Sequence, residues 1–552
     1  MASLTSYQDT LGRKKAAHLL RRLTFGASKQ EIDTFAKYTP QQAVEKLLKN
    51  PETDYSPPID PATGNIWLNP APTDVNSDNE TLMQHVKCWW LDQMVKASVS
   101  AVEKMSFFMH THFTTMESRM RYAPALYYQI KLFREYSLGN FKALAKKICL
   151  DHAMLRFLDG YLNEVGKPNE NFAREFLELY TIGKGPQIGP NDYTHYTEDD
   201  IIAASKIFSG YKEDKEFSSF DPDTGLAQVV VQTNEAGLAF RHDASVKQFS
   251  HAFDNQQIAP NEIIGGKATP EATIDELDQL VDMVFAKEAT AIHICRKLYR
   301  FFVYYELTQE VEQNVIIPLA QELVASNYEL KPVLTKLFTS QHFYDLDNQE
   351  KEDNNTGGII KSPLELVVGA LRFFKVDMPS QNTNLNIFYE AYGKGILKVL
   401  SDQGLDFYEP YEVAGYAAYH QEPAFHRNWI STNYLARRYE FSHMLIEGVR
   451  NDDEQLLYML DIVAYVDDTT NITDPKNAEQ LVRQLVDYLL PEEITEERFQ
   501  YFRKTILLDE LSEINWQKEW EKYKSTGDDS AVRVQLESLI HTIIQSPEYQ
   551  LS

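Results

Sequence analysis

Between two backbone breakers, Pro168-Asn169 and Gly183, apolar residues recur with the period of a helix: Phe172, Ala173, Phe176, Leu177, Leu179 and Tyr180. That spacing predicts a helix with one continuous apolar face, committed to a core. On its other face stand Asn171, Arg174, Glu175 and Glu178. Two readings of this polar face stay open. Glu170, Arg174 and Glu178 lie four residues apart and would form a solvated salt-bridge ladder. Alternatively the face lines an internal site, with Glu175 or Glu178 as a general base and Arg174 binding a substrate carboxylate or phosphate.

A chain of 552 residues exceeds what one core supports, and 43% hydrophobic with 12% aromatic residues supplies ample core material. The formal net charge of −27 argues against nucleic acid or an anionic membrane surface as partner, because phosphates need clustered Lys and Arg. Cys88, Cys149 and Cys295 are scattered within apolar helical runs and read as buried free thiols. Residues 1–20 are polar, without the apolar stretch of a signal peptide, and no run reaches the length of a membrane span. A cytoplasmic protein is the expectation.

Along the chain the pattern is helical almost throughout. Ser28 with Glu31, and Ser362-Pro363 with Glu365, carry capping signatures of helix starts. Residues 51–80, rich in Pro, Asp and Asn, read as a surface excursion. The pattern breaks at about 212–260, where 227–233 and 238–242 flank Asn234-Glu-Ala-Gly237 and predict a β-hairpin. Residues 346–361 read as a linker. The expected fold is mainly α, a multi-helical globular protein with a small β-hairpin insertion around 227–242. Its helical regions would be 1–345 and 362–552.

Other chemistry-bearing stretches are few. Phe107-Phe-Met-His-Thr-His-Phe113 holds His110 and His112, whose rings would point about 200° apart on a helix. Glu198, Asp199 and Asp200 follow Thr197 and suit a helix cap and first turn. Asp221 to Gly225 spaces its acids faintly like a calcium loop but reads as a plain turn. His242-Asp243 is a candidate Asp-oriented imidazole. No phosphate-cradling loop, dinucleotide fingerprint, nucleophile elbow or HExxH helix occurs. What remains is a metal-ligand set of His110, His112, Glu175 and Glu178, suited to a divalent zinc, iron or manganese ion.

These stretches, in this order, resemble the bacterial domain-of-unknown-function family 1800 over nearly the whole chain. The resemblance rests on His18-Leu-Leu-Arg-Arg-Leu-Thr-Phe-Gly26, Phe107 to Phe113, Pro168-Asn-Glu-Asn-Phe-Ala-Arg-Glu-Phe-Leu-Glu-Leu179, and Tyr196-Thr-Glu-Asp-Asp-Ile201. It continues through Phe208-Ser-Gly-Tyr211, His242-Asp243, Lys361 to Glu365, Gln403-Gly404, Val413-Ala-Gly-Tyr416 and Trp429-Ile430. Met109, Tyr211 and Tyr416 stand where the family pattern has Trp, and Tyr411-Glu412 interrupts a usual Pro-Asn. The resemblance carries no settled activity. It implies genomic proximity to a sulfatase-like family and export of many members. Two functions are therefore expected as alternatives: an enzyme with a buried His/Glu/Arg site holding a metal, or a helical scaffold for a partner such as the sulfatase-like neighbour.

Overall fold

The computed structural model describes residues 2–51, 56–68, 78–347 and 355–552. Parts of the expected surface excursion (52–55, 69–77) and of the expected linker (348–354) lie outside the described residues. The architecture is mainly α, as the periodicity predicts, with small two-stranded antiparallel ladders between helices.

Caps start the helices where the sequence places them. Ser28 and Ser362 accept from the backbone of Glu31 and Glu365, and those glutamates bond back to the serine N–H groups. Each box satisfies two of the donors that a helix start otherwise leaves open. Thr197 and Asp200 form a third.

Two helices form the centre. Asn79–Lys96 is buried along most of its length, including Trp89 and Trp90, and every residue of Val102–His112 is buried. A helix buried on all sides must satisfy its polar side chains internally. Glu103 does so with the Trp90 indole at 3.0 Å and Arg134 at 2.6 Å, and Lys104 with Glu365. The last pair ties Val102–His112 to the start of Pro363–Phe373, and one continuous apolar core includes residues from both sides of the 346–361 stretch. Gly26 at φ +120° permits a further close approach: a Cβ there would stand 2.7 Å from the Gly369 Cα.

The 212–260 region departs from the expected hairpin. Val230–Val231 pairs with Tyr211–Lys212, not with 238–242. Asn234 to Gly237 does make the expected tight turn, but only the single bridge between Thr233 and Ala239 closes it. The backbone of 229–232 is already bonded to Leu150 and Gly210, leaving little for a hairpin partner. Asp221 to Gly225 is a turn whose carboxylates take Lys147, as its imperfect calcium spacing suggested. No helix is long and apolar enough to cross a membrane among the described residues.

Candidate functional site

The Asn171–Glu175 helix continues into a π-helical turn, Phe176–Tyr180. Phe172, Ala173, Phe176, Leu177 and Tyr180 are buried, as their period predicted, and Leu179 packs partly against the same core. A π turn carries an extra residue and frees backbone carbonyls that an α-helix would use. Here side chains take them. Thr181 Oγ1 donates to the Phe176 carbonyl at 2.6 Å, and His293 and Lys297 both reach the Leu179 carbonyl at 3.0 Å. His112 Nε2 lies 2.9 Å from the Tyr180 carbonyl. Gly183 then reverses the chain at φ +71°, its N–H returning to Leu177 O.

The polar face of this element is half-buried, neither a free ladder nor a sealed core. Arg174 forks onto Glu198 (3.1 and 2.6 Å) and touches Glu170 at 3.5 Å. Its guanidinium is thus occupied by a carboxylate from the next helix, and is not the open anion-binding fork expected for substrate. Glu178 accepts from the Tyr196 hydroxyl at 3.0 Å and pairs with Lys184 at 2.5 Å, so the ladder step from Arg174 to Glu178 does not form. Among the described residues Glu175 has no hydrogen bond or ion pair of this kind, though the Arg174 and Lys184 charges act on it from nearby. Burial first, then the neighbouring Glu178 charge, push its carboxyl up to about 7.

The histidines occupy different surroundings. His110 is fully buried, stacked on Tyr408 at 4.0 Å with Trp90 and Tyr416 edge-on, and neither ring nitrogen has a hydrogen-bond partner. Burial alone lowers it to about 3, so the ring is neutral. His112 points instead to the π turn and stacks edge-on against Phe113 and Phe141. The α-helical geometry therefore separates them, as the 200° argument anticipates. The proposed metal set of His110, His112, Glu175 and Glu178 is not brought together. Among the described residues no group of three or more His, Cys, Asp or Glu side chains is gathered to hold a metal ion. The 107–113 segment does join the 171–180 element, but through the Tyr180 backbone and not through a His–Glu contact.

The secondary candidates resolve as structure. Asp200 closes the Thr197 capping box and also accepts from Ser250. His242 is oriented by Glu276 at 2.6 Å, from the distant Pro270–Phe285 helix, and not by the adjacent Asp243. All three cysteines are free and buried.

Sequence reasoning missed Tyr196, Lys184, His293 and Lys297. Lys297 carried one usable signal, a lysine within the apolar run of Glu288–Phe302. Burial and the nearby Arg300 depress its ammonium to about 8. A separate groove of about 810 Å³ opens between Asn79–Lys96 and the 406–409 loop. None of the five predicted residues lines it. Three of its carboxylates are already engaged, Glu117 with Lys87, Glu409 with the Ser118 backbone and Asp406 with the Ser401 and Tyr411 hydroxyls.

The profile of the family described as "Protein of unknown function (DUF1800)" matches residues 18–551, so the chain belongs to that family. No curated protein and no solved structure matches it.

Proposed function

We propose that this family member is an enzyme whose proton-transfer centre is the carboxyl pair Glu175 and Glu178, without a metal in that role. One observation carries the reading: two carboxylates three positions apart, on either side of the start of the π turn, meet different environments. Glu178 is held by a hydroxyl and an ammonium, whereas Glu175 is half-buried, unpaired and raised to about 7. Acid–base sites are built by such divergent tuning of neighbouring groups. Glu175 would exchange the proton near neutral pH, with Glu178 beside it held by Lys184 and Tyr196. Arg174, spent on Glu198, positions the helix start against Glu198–Ile207 and does not bind substrate.

The test has two parts. Carbon-detected titration of the Glu175 carboxyl should give a midpoint well above 4.5, moving down in Glu178→Gln because one of its two raising causes is removed. Chromogenic esters, glycosides and phosphate esters should then be surveyed for a turnover whose pH profile moves with the same substitution. A Glu175 that titrates like an ordinary carboxylate would end the reading.

A second reading, a non-catalytic scaffold binding a partner protein, is favoured by Glu170–Arg174–Glu198, an ionic arrangement typical of a structural helix face. In that case Glu175→Gln would change stability and partner capture but no turnover.

A further inference from the structure

A second charged centre lies away from the π turn, where the two ends of the chain meet. Arg22 comes from the Gly12–Leu23 helix, Lys104 from Val102–His112, Lys361 from the segment before Pro363–Phe373, and Arg438 from Thr432–Glu447. All four are buried, between 0% and 7% exposed. The half-buried Arg21 stands beside them. Interior cations are ordinarily matched by carboxylates. Here the carboxylate they share is Glu365, and its oxygens are occupied by Lys104 and the Ser362 N–H. Asp345 faces Arg22 and Glu492 faces Arg21, so among the described residues three acids answer these five bases.

The other cations rest on neutral acceptors. Arg21 donates to the Tyr488 carbonyl at 2.7 Å, Arg22 to Asn355 O at 2.6 Å and Lys361 to Tyr549 O at 2.6 Å. Arg438 donates to Gln550 and to the Lys361 carbonyl. Arg22 Nε and Arg438 Nη1 are buried without a partner. A cavity of about 40 Å³ adjoins this cluster, with Arg21, Lys361, Glu365 and Tyr549 in its wall. That volume holds roughly three water-sized spheres at 10–15 Å³ each, the size of a compact ion and too small for an organic substrate.

We propose that this cavity is a binding site for a compact inorganic oxyanion, phosphate or sulfate, held chiefly by Lys361 and Arg21. The anion would supply the negative charge that the surrounding acids do not. Lys361 lies well below the usual lysine range through burial and the Arg21 and Arg438 charges, and a bound anion would restore its protonated form. Because the cations come from helices at both ends of the chain, the bound ion would also cross-link them.

Thermal unfolding and calorimetric titration of the full chain with phosphate and with sulfate test this, using chloride at matched ionic strength as control. The wild type should gain stability with either oxyanion beyond chloride. Lys361→Met and Arg21→Met should bind at least tenfold more weakly. Without oxyanion, Lys361→Met should unfold at the same temperature as wild type or higher, since it removes a buried amine whose protonation burial and the Arg21 and Arg438 charges already oppose. That result separates lost binding from lost folding. The proposal is overturned if wild type shows no gain over chloride, or if Lys361→Met keeps the full gain.

Discussion

Glu175 and His110 are both neutral near pH 6 because burial disfavours charge, one as a protonated acid and the other as an unprotonated base, so their effects on stability run in opposite directions with pH. The Glu175 carboxyl rises from an ordinary 4.5 to about 7, so between those values the folded chain holds a proton that the unfolded chain has lost. Its stabilising contribution is full below about pH 4.5 and disappears as pH rises to 7. Glu175→Gln should therefore flatten the fall of the unfolding midpoint across that window. A wild-type midpoint that is already flat there, or an unchanged slope in the variant, would contradict the assignment. His110 falls from 6.5 to about 3, so the unfolded chain binds the extra proton; that contribution is full above pH 6.5 and is lost as pH drops towards 3. His110→Phe relieves two unpartnered buried nitrogens and should leave stability at pH 7 unchanged within about 1 kcal/mol, or raise it. His112→Phe strips the Tyr180 carbonyl of its donor and should cost about 1–3 kcal/mol. Denaturant unfolding of the two variants side by side measures the contrast.

Among elements, the π turn Phe176–Tyr180 is one that local periodicity did not resolve. Its apolar positions read as an uninterrupted helix, and the widening depends on Thr181, His112, His293 and Lys297 taking the carbonyls at its end. Gly183 secures the exit. A Cβ there would meet His293 Nδ1 at 2.8 Å and would also have to adopt φ +71°. Gly183→Ala should cost about 1–2 kcal/mol from the left-handed backbone alone, and more from the clash. A substitution with no effect on the melting temperature would show that the turn relaxes freely. Where the signal is local, the sequence read well. The capping boxes at Ser28 and Ser362 need only residues three apart. The hairpin around 227–242 is closed only near its tip, at Thr233 and Ala239, because Val230–Val231 is taken by Tyr211–Lys212.

At the scale of the whole molecule, the two helical regions meet through buried contacts. Lys104 with Glu365, Arg22 with the Asn355 carbonyl, and Gly26 against Gly369 all cross between them. Interfaces that share one core unfold together. Scanning calorimetry should therefore show one cooperative transition for the full chain. Two well-separated transitions would mean that the regions 1–345 and 362–552 fold independently.

The sequence by itself determined that the chain is mainly α, where many helices begin, which face of 171–180 is apolar, and which family the chain joins. Each of these needs only a window of a few residues, or a motif order that needs no coordinates. Partner identity lay outside that window. Arg174 finds Glu198 across 24 positions, His112 finds Tyr180 across 68, and Arg438 finds Gln550 across 112. Tertiary packing alone decided that Arg174 is spent on Glu198, how Glu175 is buried, and that Arg22, Lys104, Lys361 and Arg438 lie inside a chain of net charge −27. Burial and distance set the charge state of each group, and both are properties of the folded chain.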